Sequence, residues 1–272
     1  MKNILVPTDF SKNASDAAHY AAALANITGA RLLLFHAYHV SVALADAADL
    51  SIDLDLENFE NFNQTQIDKL AYELHLTHGI SVTRIMRPGF AADEIPTIAH
   101  RLKADLVVMG LRGKGQAAGS KVGQITAAII QESKVPVLCV PAGLTFGSYA
   151  PFNFRYQLYA TVTQPEFNIR QKLNNLFGAS VALTPDPLPT TNLQTVSPTA
   201  ALPQVQEHPA VGSGSGNLLL IEDIPVINHS DSGLLVISAD KNTCKQIAVS
   251  NFLASYVEGQ LQMPVLVLPD ES

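Results

Sequence analysis

The heptapeptide VPVLCVP at residues 135–141 returns as MPVLVLP at residues 263–269. Each is a short apolar run fenced by prolines, the pattern of a buried strand with sharp ends. Pro136 and Pro264 are 128 positions apart, as are Pro141 and Pro269. At the same spacing Leu106 meets Leu234 and Val108 meets Val236, with no gap. The shared register therefore spans a strand, a loop, a helix and a second strand. A repeat of that extent covers a whole domain. Exact matches are few, and the common apolar pattern carries the repeat.

Outward from 135–141, the first half alternates strands and helices. NILVPT (3–8) is a strand ending at Asp9. Ser11 caps a helix whose inner face is Ala14, Ala17, Ala18, Ala21, Leu24 and Ala25, and Gly29 ends it. RLLLFHA (31–37) is apolar throughout, as in a parallel strand covered on both faces. A helical period runs through 55–78, and ISVTRIM (80–86) is a third strand. EIPTIAHRL (94–102) is a helix that takes Pro96 only in its first turn. DLVVM (105–109) is strand four, followed by a helix at about 124–132 and strand five. In the second half the strands are YQLYATVT (156–163), ASVALT (179–184), NLLLIE (217–222), GLLVIS (233–238) and MPVLVLP, with helices at 165–177 and about 245–258. Residues 185–216 carry six prolines and end in GSGSG, which reads as a loop. The expected fold is α/β: two Rossmann-like, doubly wound, five-stranded parallel-sheet domains in tandem, at 1–147 and 148–272, the second reduced.

Composition narrows the function. A length of 272 residues suits two domains, and 47% hydrophobic residues supply a core for each. A net charge of −7 and no Lys/Arg cluster argue against nucleic acid. The apolar stretch 17–35 is interrupted by His19, Asn26, Gly29 and Arg31, so it is a helix and a strand rather than a membrane span. The N-terminal apolar run is too short for a signal peptide. Cys139 and Cys244 have no metal-ligand spacing and fit a cytoplasmic chain with reduced thiols.

The chemistry sits in MGLRGKGQAAGSKVGQIT (109–126), with Gly110, Gly113 and Gly123 between a strand end and a helix start. Such a loop turns N–H groups toward a ligand, and the helix end adds positive potential. Glycine lets phosphate approach the backbone and takes φ > 0 freely. Ligands of open α/β sheets bind outside the carboxyl ends of the strands. Asp9 ends strand one, where a carboxylate can accept both ribose hydroxyls. His36 and Ala37 end strand two, where a base edge can meet backbone atoms. Each feature has an ordinary alternative. Three spaced glycines occur in flexible connections. An Asp after a strand more often caps a helix. A His in an apolar strand is more often a bonded core residue, and Arg112 and Lys114 suit a solvated surface. GSGSG lacks a preceding strand and a following helix, and reads as linker. In the second half the three glycine positions hold Ser238, Lys241 and Asn251, so that half keeps the pattern without the loop.

Taken together, ILVPTDFS (4–11), LLLFHA (32–37), DLVVMGLRG (105–113), Gly123 and VPVLCVP (135–141) resemble the universal stress protein family across residues 1–143. The repeat makes the chain look like a tandem member with one intact and one eroded domain. The resemblance implies a pseudo-dimer in which strand five of each half meets the other. The family's nucleotide-binding members use Gly-2x-Gly-9x-Gly followed by Ser or Thr. Carried over, Pro7, Thr8 and Asp9 lie by base and ribose, and Ala37 and Met109 flank adenine. Gly110, Arg112 and Gly113 line the phosphate path, and Gly123, Gln124 and Ile125 close it. Gln124 replaces the hydroxyl residue, which costs about 1–2 kcal/mol for a charge-assisted contact. The implied cofactor is ATP or another adenine nucleotide, bound weakly or with fewer phosphates in the first half alone; Mg2+ enters only with a triphosphate. The implied role is stress response or signalling, through an unidentified protein partner, and the family's pairing of subunits extends the implied partners to a homodimer. The alternative is a nucleotide-free interaction module. No catalytic constellation is readable, so an enzyme is not expected, slow ATP hydrolysis aside.

Overall fold

A computed structural model describes residues 1–39, 50–113, 123–146, 152–160, 166–178, 181–185, 233–239 and 264–269. The expected strand at 217–222, the helix at 245–258, the Pro-rich stretch after Pro185 and Lys114, Lys241, Cys244 and Asn251 lie outside them. The first half runs β1 (Asn3–Pro7), α1 (Lys12–Thr28), β2 (Arg31–Tyr38), α2 (Leu50–His78), β3 (Val82–Pro88), α3 (Ala91–Arg101), β4 (Leu106–Gly110), α4 (Gln124–Glu132) and β5 (Val137–Val140). The second runs β6 (Phe152–Ala160), α5 (Glu166–Phe177), β7 (Val181–Pro185), β8 (Gly233–Ala239) and β9 (Val265–Pro269).

The nine described strands form one sheet, ordered β3-β2-β1-β4-β5-β9-β8-β6-β7. Pairing within each half is parallel, and the halves join where β5 lies antiparallel to β9. The 128-residue spacing appears directly in the pairing. Val107 pairs with Val137 and Gly110 with Val140; their counterparts Leu235 and Ser238 pair with Val265 and Leu268. At the junction Leu138 faces Leu266, its own counterpart. Val137 faces Val267 and Cys139 faces Val265, so the register is symmetric about the leucine pair. An isologous contact has this property, here within one chain.

Two core layers cover the sheet. Leu138, Val140, Leu266 and Leu268 join Ile4, Leu32, Leu24 of α1, Leu74 of α2 and Leu173 of α5 on one face. Val137, Cys139, Val265 and Val267 join Leu5, Phe35, Ile98 of α3 and Ile129 of α4 on the other. The first layer runs unbroken from one half into the other. Ser11 caps α1 by accepting from the Ala14 N–H at 3.2 Å, and Gly29 ends it at φ +68. The buried alanines of α1 leave its backbone close to the sheet.

Several expected boundaries shift, among them the start of α2, at Leu50 rather than residue 55, and two whose cause is readable. β6 begins at Phe152 rather than Tyr156. The sequence Phe152-Asn-Phe154-Arg-Tyr156-Gln-Leu158 alternates apolar and polar residues, which is the period-2 signal of a strand. α3 begins at Ala91, which makes Pro96 its sixth residue rather than a first-turn one. The cost is one helical hydrogen bond, the one Pro96 would have donated to Ala92.

A polar chain links α1 to α2. His19 Nε2 lies 3.2 Å from Glu73 Oε1, and His19 Nδ1 lies 3.2 Å from His78 Nε2. The carboxylate only accepts, so His19 donates to Glu73, and its other nitrogen accepts from His78 while His19 is neutral. Burial, then the charge of His19, holds the His78 pKa below its usual value. Unfolded His78 binds its proton near pH ~6.5 while the folded residue resists it. The stabilisation is present above that pH and is lost as pH falls through the lowered folded value. The melting temperature should therefore drop between pH 7 and 5, and His78→Gln should flatten part of that drop. An identical pH profile in the variant would contradict this.

Candidate functional site

A cavity of about 350 Å³ opens at the carboxyl ends of β1, β2 and β4. Pro7, Thr8 and Asp9 supply one wall, Phe35 and Ala37 a second, and Met109, Gly110, Arg112 and Gly113 a third. Gly123, Gln124, Ile125 and Thr126 at the start of α4 close it, with Ala14, Ala91 and Ile95 opposite. Every residue carried over for base, ribose and phosphate therefore borders one space, whereas His36, which the sequence also set at the base edge beside Ala37, does not line it. Ala14, Phe35, Ala91, Ile95 and Thr126 were not nominated. Phe35 could have been found, because residues two apart on a strand share a face and Ala37 was already named. Ala91 depended on starting α3 three residues earlier.

The turn after β1 is held tightly. The Thr8 N–H donates to Phe35 O at 2.8 Å, extending the β1–β2 ladder. His36 Nδ1 lies 2.8 Å from Thr8 O, so Nδ1 carries the proton. His36 is buried and packs its ring 4.3 Å from that of Phe10. It is the bonded core histidine, and it braces the turn that carries Asp9. Thr8 Oγ1 accepts from the Phe10 N–H at 3.0 Å, and Phe10 sits at φ +59. Asp9 Oδ1 accepts from the Ser11 N–H at 2.9 Å. Asp9 thus shapes the entry to α1 with one oxygen, while Oδ2 lies over Gly113.

Of the two expected reasons for the glycines, backbone freedom is not used. None of Gly110, Gly113 and Gly123 is among the positive-φ glycines, and Gly123 has φ −64. Close approach explains the first two. A Cβ on Gly110 would lie 2.9 Å from the Asn13 carbonyl oxygen, and one on Gly113 would lie 2.6 Å from Asp9 Oδ2. Gly110→Ala must push backbone, so it should cost about 1–3 kcal/mol of stability. Thermal unfolding checks this, and an unchanged melting temperature would contradict it.

Gly123 donates to Leu111 O at 2.8 Å and is the N-cap of α4, which receives no side-chain cap. The first-turn N–H groups of α4 therefore have no side-chain acceptor from their cap residue. Thr126 does not take up the role of the missing hydroxyl. Its Oγ1 donates to Gly110 O at 3.0 Å, and the residue is buried. Gln124 is exposed at the rim. Cys139, paired with Met109 behind the cavity, is buried, and burial pushes its thiol up to about 12. That thiol stays protonated and is no nucleophile. Among the described residues no three His, Cys, Asp or Glu side chains are grouped to hold a metal ion, and no helix is long and apolar enough to cross a membrane.

The family model described as "Universal stress protein family" matches residues 1–141. A universal stress protein of Synechocystis sp. is 32% identical over 143 residues, covering 52% of this chain and 85% of its own. One from Methanocaldococcus jannaschii is 30% identical over 139 residues, covering 51% and 81%. A solved universal stress protein from Archaeoglobus fulgidus, 11% identical, superposes over 98% of both chains with a TM-score of 0.53, a likeness of fold that runs through both halves.

Proposed function

Because the chain belongs to the universal stress protein family, we propose that its first half binds an adenine nucleotide and serves stress response or signalling in the cytoplasm by that binding, not by catalysis. One observation carries this reading. Asp9, Ala37, Met109, Gly113 and Gly123 come from separated segments and border one cavity of about 350 Å³, within the ~300–1,000 Å³ range of small-molecule sites. Adenine lies between Ala37 and Met109, ribose meets Asp9, and phosphate meets the uncapped start of α4. The second half lacks the glycine loop and lends its strands to the shared sheet. Its Ser238 occupies the strand-end register of Gly110.

Calorimetric titration of the full chain with adenine nucleotides tests the reading. It expects one site per chain, and two equal sites would contradict the assignment of the second half. A second reading has its own support. Phe62, Tyr72 and Leu76 on α2 are 60%, 64% and 64% exposed, on the side of the helix away from Ile67 and Leu74. Such a stripe suits a protein partner. If no adenine nucleotide binds, this interaction-module reading takes over.

A further inference from the structure

We infer that His36 is a positioning residue that makes the cavity prefer ribose to 2′-deoxyribose, acting through Asp9. The inference rests on the nucleotide reading above and concerns which sugar the site takes. Phe35 and Ala37 line the cavity, and His36 between them does not. Successive strand residues face opposite sides of a sheet, so His36 works from behind the wall. Its side chain is buried, and Nδ1–H donates to Thr8 O at 2.8 Å. The Thr8 N–H donates to Phe35 O at 2.8 Å. Both backbone groups of the residue before Asp9 are therefore held by β2, one by its main chain and one by the His36 ring.

The residue after Asp9 is held by the same ring. Phe10 stacks its ring centroid 4.3 Å from that of His36. Phe10 has φ +59, a conformation that a bulky residue keeps only where its surroundings hold it. Its N–H donates to Thr8 Oγ1 at 3.0 Å, which closes the turn across Asp9. That turn aims the carboxylate. Oδ1 accepts from the Ser11 N–H at 2.9 Å, and Oδ2 lies over Gly113 on the cavity wall. A carboxylate oxygen has more than one acceptor site, so Oδ1 can serve Ser11 and a sugar hydroxyl together. Two oxygens in fixed places match two adjacent hydroxyls, and a sugar lacking one of them leaves an acceptor unpaired. The discrimination depends on aim, because a carboxylate that can swing follows whichever hydroxyl remains.

The test is calorimetry of the full chain with AMP and with 2′-deoxy-AMP, in wild type and in His36→Phe, His36→Asn and Phe10→Gly. Wild type should bind AMP about tenfold or more tighter than the deoxy form, the worth of one hydrogen bond to a charged group. His36→Phe keeps a ring against Phe10 and removes the donor to Thr8 O, so the preference should fall to about threefold or less. His36→Asn places an amide N–H where Nδ1–H stands and should recover most of the preference. Phe10→Gly takes φ +59 without strain and removes the stacked ring. It should lower the preference too, which keeps the inference testable if His36→Phe fails to fold. A wild-type ratio in folded His36→Phe or Phe10→Gly would overturn the inference, even with both ligands weakened alike. A ratio in His36→Asn as low as in His36→Phe would overturn it as well. Equal binding of the two ligands by wild type would overturn it and leave the nucleotide reading standing. Binding of neither would overturn the nucleotide reading with it.

Discussion

Gly113→Val lowers nucleotide affinity by at least about a hundredfold, roughly 3 kcal/mol, while the melting temperature stays within a few degrees of wild type. The reason is where the new atoms go. A Cβ at Gly113 lies 2.6 Å from Asp9 Oδ2, so the carboxylate must leave its place. The two further methyl groups of valine then fill the wall where ribose and phosphate meet. Loss of a hydrogen bond to a charged group costs ~1.5–3 kcal/mol, and the steric block adds to it. The fold is spared because Gly113 is exposed and the colliding atom is the end of a side chain. Gly110 differs, since its collision is with the Asn13 backbone. Titration and thermal unfolding of the two variants should therefore separate. Wild-type affinity in Gly113→Val would remove the glycine loop from the binding account.

Leu138→Ala destabilises the protein by about 2–5 kcal/mol, the range for emptying a buried leucine site. Leu138 and Leu266 are 1% and 0% exposed, and they face each other across the β5–β9 junction. Their layer is shared by both halves, so the cavity left by either truncation opens in common ground. Leu266→Ala should cost a similar amount because the two positions are register counterparts. The double variant should show a coupling of roughly 0.5–3 kcal/mol, as expected for side chains in contact. Denaturant unfolding measures all three. A cost below about 1 kcal/mol for Leu266→Ala beside a full cost for Leu138→Ala would mean that the second half does not share the core.

The repeat was legible because strand register is a sequence property. A spacing of 128 residues in the prolines became the same spacing in the strand pairs. The site was legible at residues whose type and position coincide, such as Asp9 at a strand end and Gly113 in the loop. What the sequence left open depended on tertiary distance. The approach of the Asn13 carbonyl oxygen to Gly110 joins the first turn of α1 to the end of β4, about a hundred residues apart, and no local pattern records it. Phosphate approach and backbone freedom were both readable for the glycines; the φ values make no use of the second, and close approach within the chain adds a reason that the sequence did not show. The partner of Thr126 was equally hidden, because its hydroxyl bonds a strand-end carbonyl. The early start of β6 was readable, since the alternation begins at Phe152. A window opened at Tyr156 simply began too late.

The central claim is that one adenine nucleotide occupies the first-half cavity. The most direct measurement is a crystal structure of the full chain with AMP at saturating concentration. The account predicts adenine between Ala37 and Met109, ribose against Asp9, and one phosphate at the N–H groups of Gln124 to Thr126. An empty cavity, or AMP held elsewhere on the chain, would contradict it.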